Sequence, residues 1–379
     1  MKRRHFLALG SAALAAAQDK SAAPLKAVVI GHTGRGDYGH GLDRIFSNRP
    51  GIELVALADA DEAGRKKMAE ALKVPRQYAD YREMLEKEKP ALVSVAMRQA
   101  DQHRDIILAA LKAGAHVYAE KPVTRSPAES DELIAAAEAG KLRVGVAHTM
   151  RQTKFIRRLR DAVKQEGLIG DLVEMRAYGK QDARAGGEDL MVLGSHLMDL
   201  LRMFAGDPLW CSARVLSGGK DITRADARRV KDDVGPVAGD EVFAQYAFPN
   251  GVNATFTSAN RLRETTGHWG IELHGSKGVA RINCDIDPNV FLRRTTAWTK
   301  AGRADTWAPF DPDAVKAPEV HKEDPVTDWL SAIRENREPE CSLRNGAWAV
   351  EMVCAVYASA LNGSRAGFPL KERKHPLEG

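Results

Sequence analysis

The sequence has only four cysteines, Cys211, Cys284, Cys341 and Cys354, and no C-x-x-C pair among them. Their wide spacing suggests neither a metal site nor a disulfide framework. No apolar run reaches the roughly 18 residues that a membrane-spanning helix needs, so no transmembrane helix is expected. Net charge is small once the first residues are set aside. Of 56 Lys and Arg, three fall in the first 17 positions, which leaves 53 against 51 Asp and Glu. Nucleic-acid binding calls for basic residues gathered on one face, and so small an excess predicts no such partner. Internal repeats and low-complexity segments are lacking as well. What remains is ordinary globular usage, 44% hydrophobic and 28% charged, unlike disordered, collagen-like or coiled-coil chains. At 379 residues, and taking roughly 150 residues per domain, two or three domains are expected. A chain of this size can bury about three quarters of its unfolded surface.

The first 17 residues read as a signal peptide, to be set apart from the fold. Lys2, Arg3 and Arg4 form a basic head, Phe6 to Ala17 is weakly apolar, and Ala15-Ala16-Ala17 offers small residues for a peptidase. Arg3-Arg4-His5-Phe6-Leu7 resembles the twin-arginine address. The expectation is a protein exported folded, with any cofactor already bound, to the periplasm or beyond, and free of the membrane after processing.

From residue 24 to 149, short apolar runs alternate with helical patterns. Leu25 to Ile30, Ile52 to Ala58, Leu92 to Ala96, His116 to Ala119 and Val144 to Ala147 read as strands buried on both faces. Leu42 to Phe46, Glu62 to Leu72, Ile106 to Ala113 and Pro127 to Ala139 read as helices. Such alternation predicts a doubly wound parallel sheet. The pattern changes at residue 150. Helices are expected over Phe155 to Glu166 and Leu190 to Phe204. Strands are expected over Leu172 to Tyr178, Cys211 to Leu216, Glu241 to Phe248, Ala254 to Ser258, His268 to His274 and Gly278 to Asn283. Pro249-Asn250-Gly251 marks a tight turn. Residues 150–325 thus form an α+β region with an open, mostly antiparallel sheet, although 284–325 carry little pattern. Residues 326–379 hold two closing helices, Val326 to Glu335 and Asn345 to Leu361.

The first strand runs into Gly31-His32-Thr33-Gly34-Arg35-Gly36-Asp37-Tyr38-Gly39-His40-Gly41. Glycine serves where a chain turns sharply or must approach a pyrophosphate, and the amides of a following helix start favour an anion. Gly34-x-Gly36-x-x-Gly39 fits G-x-G-x-x-G. Gly31, Gly34 and Gly36 are the expected close-contact positions, with Thr33 and Arg35 between them. Asp59 ends the second strand, where a carboxylate accepts from a ribose 2′-hydroxyl and repels a 2′-phosphate. No arginine follows it directly, so NAD is favoured over NADP. A surface turn acid is the other reading of Asp59.

The fourth strand ends in Ala119-Glu120-Lys121-Pro122. Ligands of open α/β sheets sit at the carboxyl ends of strands. A lysine there moves protons if burial lowers its pKa; a solvated turn lysine is the plainer alternative. Pro122 fixes the backbone, a candidate cis bond. These residues, with LKAVVIGHTGRG, Ala58-Asp59, Gln102-His103, AGAHVYAEKPVTRS, GGEDLMVLGSHLMDL and DPVTDWLSAIRENREPECSLRNG, resemble the glucose-fructose oxidoreductase / inositol dehydrogenase / MocA family. The resemblance covers nearly everything after the leader. It implies a Rossmann domain over 24–149 and a substrate and oligomerisation domain over 150–325. It also implies a dimer or tetramer, and hydride transfer between nicotinamide and a sugar or cyclitol.

The family's Glu-Lys-Pro falls on Glu120, Lys121 and Pro122, and its catalytic histidine on His196. Many members carry Asp one helical turn before that histidine. Here the position is Val192, an apolar residue that cannot orient an imidazole. Asp199, three residues after His196, is within reach of it; Asp189 is two turns away. An apolar helix also hosts core histidines, so His196 has that alternative. Weaker substrate candidates are His103, also read as a helix start, and Arg151, also read as a salt-bridge residue. Tyr178, Lys180, Asp182, His268 and Trp269 are further cleft candidates, the tryptophan equally a core filler. Three functions stay open: an NAD-dependent oxidoreductase using Lys121 and His196, a redox-neutral sugar-processing enzyme with retained cofactor, and a non-catalytic dinucleotide-binding protein.

Overall fold

A computed structural model of the chain describes residues 23–263, 269–284, 289–294, 306–319 and 323–378. The expected leader and His268 lie outside the described residues. The first region builds a parallel sheet from β1 (Leu25–Ile30), β2 (Ile52–Ala58), β3 (Arg76–Tyr78), β4 (Leu92–Val95), β5 (His116–Ala119) and β6 (Val144–Val146). Their order is β3-β2-β1-β4-β5-β6. The chain leaves β1 toward one edge and returns to β4 on its other side, so a crevice opens at the carboxyl ends of β1 and β4.

Four helices cover this sheet: α1 (Glu62–Leu72), α2 (Tyr81–Glu88), α3 (His103–Lys112) and α4 (Pro127–Gly140). Their starts follow the sequence. Asp61 caps α1 by accepting from the Gly64 amide, Asp80 caps α2, and Ser126 caps α4 ahead of Pro127, each satisfying an amide the helix leaves unpaired. The helix expected over Leu42 to Phe46 is instead a 3-10 turn over Gly39–Arg44, broken by left-handed His40 and Gly41. The glycine-rich loop therefore runs into a 3-10 turn instead of an α-helix, while the first turn of α1 packs on Thr33 of the loop at Gly64.

The second region begins with α5 (Lys154–Gln165) and β7 (Leu172–Tyr178). The long helix expected over Leu190 to Phe204 is two, α6 (Gly187–Val192) and α7 (Gly194–Ala205), interrupted at Leu193. Strands β8 (Trp210–Ser217), β9 (Lys220–Asp221), β10 (Glu241–Ala247), β11 (Asn253–Ala259), β12 (Gly270–Gly275), β13 (Gly278–Asn283), β14 (Asn289–Arg293) and β15 (Ala308–Pro309) follow. They are joined near the chain's end by β16 (Ala366–Gly367), and among the described residues of this sheet only β7 and β11 pair in parallel. Asn250 takes a left-handed φ of 60° in the expected β10–β11 turn.

One face of this sheet is core. Met175, Val242, Tyr246, Phe256 and Leu273 pack there with Leu197 and Leu201 of α7. The other face leaves Phe243 exposed. The last two helices, α8 (Pro325–Glu335) and α9 (Leu343–Asn362), tie the regions together. Trp329 of α8 packs edge-on to Tyr118 of β5. Leu343 of α9 joins the first sheet's core, while Val350 and Val353 join the second's.

Candidate active site

The glycine-rich loop leaves β1 at Gly31 and folds over the end of β2. Gly36 is left-handed (φ +84°), and a side chain there would meet the backbone amides of Arg98 and Gln99, so the loop lies flat on the segment after β4. Gly34 is also left-handed, and its amide donates to Asp37 Oδ1 at 2.9 Å. Arg35 is tied down: it donates to Gln99 Oε1 at 2.9 Å and pairs with Asp101 at 2.7 Å and Asp233 at 3.1 Å. Asp59 is buried, and its carboxylate is held by the Thr33 amide and hydroxyl, the Tyr38 hydroxyl and the Asp61 amide. Gly31, Asp59, Ala60 and Met97 help line a cavity of about 220 Å³ at the carboxyl ends of β1 and β2.

Across the crevice, Glu120 is fully buried and accepts from the Lys121 amide at 2.9 Å and from His40. The Lys121–Pro122 peptide is cis. Lys121 is only 7% exposed, and its ammonium donates to the Val192 carbonyl at 3.0 Å. The interruption at Leu193 explains that contact. The last carbonyls of a helix have no partner within it, and ending α6 at Val192 presents one to the lysine. Burial lowers the Lys121 pKa, opposed in part by the Glu120 and Asp232 charges. Lys121, His40, Arg98, Val192 and Asp232 help line a second cavity of about 90 Å³.

His196 sits on α7, three residues past Leu193, which also lines this cavity. Burial, then the Lys121 charge, pushes its pKa well below the usual range. The His148 ring, after β6, stands 5.2 Å from the His196 ring at 74°. Burial drives His148 down to about 3, with the Lys121 and Arg151 charges adding to it. Trp269 meets His196 from the other side, at 6.1 Å between rings. Both nitrogens of His148, Nδ1 of His196, the Ser195 hydroxyl and the Trp269 indole N–H are buried without a hydrogen-bond partner among the described residues. Buried polar atoms are nearly always paired. A cluster of unpaired ones suits a polar ligand with several hydroxyls.

Other expected residues are spent elsewhere. Asp199 does not turn to His196 but pairs with Arg151 at 3.0 Å, and burial raises it to about 6 against that pull. Arg151 also donates to the Glu340 carbonyl, so its guanidinium braces the fold instead of reaching a substrate. His103 is buried with its two ring nitrogens each 2.8 Å from a carbonyl, of Pro122 and of Met97, so it braces the Glu-Lys-Pro turn. Asp189 accepts from Ser258 and the Gln181 amide. His148 and His40 were not singled out in the sequence. The signal for His148 was its place just past the carboxyl end of a parallel strand.

The residues present suit a dinucleotide. A cavity lies at the end of β1 and β2, a glycine-rich loop crosses between, and unpaired polar atoms gather around a buried amine at the far end. The cradle differs from the expected one in that a 3-10 turn, not an α-helix, follows the loop.

Comparison with known proteins agrees. A family model described as an oxidoreductase family, NAD-binding Rossmann fold, matches residues 25–148. Its companion, the C-terminal alpha/beta domain of that family, matches 171–368. D-apiose dehydrogenase of Paraburkholderia graminis is 25% identical over 340 residues, 86% of each chain. A 1,5-anhydro-D-fructose reductase of Ensifer adhaerens is 27% identical, over 70% of this chain and 76% of its own. In fold, the chain is similar to levoglucosan dehydrogenase solved with NADH and levoglucosan (TM-score 0.70, 19% identity, 91% of this chain and all of that one). It is also similar to an oxidoreductase domain protein of Kribbella flavida (TM-score 0.72, 24% identity, 92% of this chain and all of that one). With both domain models matched in sequence order onto the parallel and the mixed sheet, the chain belongs to the Gfo/Idh/MocA oxidoreductase family.

Proposed function

We propose that this protein is an NAD-linked oxidoreductase that moves a hydride between nicotinamide and a hydroxyl-bearing carbon of a sugar or cyclitol. The observation that carries this reading is Lys121, a buried amine at the carboxyl edge of the parallel sheet, anchored to the Val192 carbonyl and near enough for its charge to act on the paired His148 and His196 rings. The named activities of the relatives, on apiose and anhydrofructose, support the substrate class.

Bound nicotinamide supplies the hydride acceptor in one direction and the donor in the other. Lys121 takes the hydroxyl proton as the carbon becomes a carbonyl and returns it in reverse. A lysine whose pKa is lowered by burial is suited to exchange near neutral pH. His196 and His148, held neutral by burial, offer donors and acceptors to neighbouring hydroxyls and fix which carbon faces the lysine. NAD is proposed over NADP because Asp59 stands at the cavity beside the loop. Gly31, Thr33, Gly34 and Gly36 supply the surface over which the diphosphate passes. Assembly into dimers or tetramers through the open sheet face, and export by the twin-arginine route, are proposed on the exposed Phe243 and on Arg3-Arg4.

The test is to purify the protein without residues 1–17, titrate NAD⁺, and screen sugars and cyclitols for a change in nicotinamide absorbance. Turnover that Lys121→Ala abolishes supports the reading. Failure to bind any dinucleotide, or full turnover by that variant, overturns it.

A further inference from the structure

We propose that Tyr38 is an internal ligand of Asp59 and competes with the ribose of a bound dinucleotide for that carboxylate; the proposal rests on the dinucleotide reading above. A carboxylate has about four lone-pair positions. Those of Asp59 are already met by four donors: the Thr33 amide (3.0 Å), the Thr33 hydroxyl (2.7 Å), the Asp61 amide (3.0 Å) and the Tyr38 hydroxyl (2.9 Å). A ribose hydroxyl can be received only in exchange for one of them.

Three of the four are fixed. Two are main-chain amides. Asp61 also caps α1, and the Thr33 hydroxyl belongs to a residue whose own amide holds the same carboxylate. The Tyr38 hydroxyl differs. It ends a half-buried side chain with rotatable bonds, in a loop whose neighbours Asp37, His40 and Gly41 all take left-handed φ (52°, 45° and 77°). Its ring lies over Gly31, where a side chain's first carbon would fall 2.2 Å from the Tyr38 ring. The absence of that carbon gives the phenol its seat. Burial and the Asp59 charge hold the hydroxyl protonated far above the ordinary phenol range, so it remains a donor at every working pH. Tyr38 thus sets how much of the ribose contact reaches net affinity.

The experiment measures binding alone. NAD⁺ and 2′-deoxy-NAD⁺ are titrated calorimetrically into the wild-type chain, Tyr38→Phe and Tyr38→Leu. Tyr38→Phe keeps the ring over Gly31 and frees one acceptor position; Tyr38→Leu frees it with a smaller apolar side chain. Both are expected to bind NAD⁺ about three- to tenfold tighter than wild type, the range set by one net hydrogen bond. The 2′-deoxy analogue, which cannot use the freed position, is expected to gain less than twofold, about the scatter of such a measurement. Unchanged or weaker NAD⁺ binding by Tyr38→Phe, or an equal gain for the analogue, overturns the proposal and leaves the oxidoreductase reading standing. No binding of NAD⁺ by any of the three chains overturns both.

Discussion

Lys121 is held by an atom that carries no side-chain identity, the Val192 carbonyl. The family resemblance leads one to expect a carboxylate at position 192 to orient the site, and its replacement by valine to weaken it. The backbone contact removes that dependence for the lysine, though not for His196, whose Nδ1 has no partner among the described residues. Two outcomes follow at this scale. Lys121→Ala is expected to lower kcat/KM for sugar oxidation by roughly 10²- to 10⁴-fold, the span of general acid–base contributions, with NAD⁺ affinity nearly unchanged by titration. Val192→Asp places a negative charge beside the amine and favours its protonated form. The rising limb of the oxidation rate against pH is then expected to move to higher pH, read from kcat/KM across pH 6 to 10. Lys121 drew attention through the Glu-Lys-Pro turn at a strand end, and His196 through the family resemblance alone, since its apolar helix reads equally as core. His148 was not, because nothing local distinguishes a histidine aimed into a site from one in a core. Asp59 was legible in place but not in its contacts, which depend on where the Tyr38 side chain turns.

Among elements, the parallel strands were the most readable, since burial on both faces leaves an uninterrupted apolar run. Strand β3 (Arg-Gln-Tyr), a three-residue edge strand with two exposed side chains, offers no apolar run to read, and the eight-residue α2 buries just Met84, Leu85 and Glu88. The break between α6 and α7 was hidden for the opposite reason. Residues 189–201 are buried throughout, so no polar stripe marks where one helix stops. The segment between β9 and β10 holds a short 3-10 turn, Arg224–Asp226, and one bridge, Arg228 to Val237, and it reaches back to the glycine-rich loop. Asp233 pairs with Arg35, and the Lys231 carbonyl accepts from Gln99. Asp232 and Val234 wall the cavity beside Lys121. Asp233 is half-buried, but its partners Arg35 and Arg229 are solvent-accessible, and pairs with a solvated partner contribute little to global stability. Asp233→Asn, which suits the left-handed φ of 47° at that position, is therefore expected to leave Tm within about 2 °C, given how little Tm moves per kcal/mol in a chain this large. It should nonetheless speed limited proteolysis near residues 229–235, where local opening is set by such contacts. Mass spectrometry of the first fragments checks this, and a shifted Tm with unchanged cleavage would argue against a local tether.

For the whole molecule, the buried histidines impose a pH dependence. His148, His196 and His375 all have pKa values lowered by burial, the last to about 4. Below the unfolded histidine value of about 6.5 the unfolded chain takes up protons that the folded one refuses, so stability falls as pH drops. Asp199, raised to about 6, acts in the opposite sense between its unfolded value and 6, as do Asp189 and Glu188, both raised by burial. His116, lowered by burial, and Asp182 and Glu272, each held down at about 2 by a hydrogen-bonded Arg184 or His274, add to the loss in acid. His148→Phe is expected to reduce the slope of unfolding free energy between pH 6 and 4.5 by about 1 kcal/mol per pH unit, close to one proton's worth. Urea unfolding at several pH values measures it, and an unaltered slope would show that His148 is not shielded in solution. The C-terminal helices act at this scale too. Leu343 of α9 is embedded in one apolar interior and Val353 in the other, while Trp329 of α8 is sealed beneath the first sheet. A rod rooted at both ends fixes the separation of the two halves, so any breathing of the crevice must come from bending of strands and loops, and a break within α9, between Leu343 and Val350, would turn a braced frame into two loosely joined pieces.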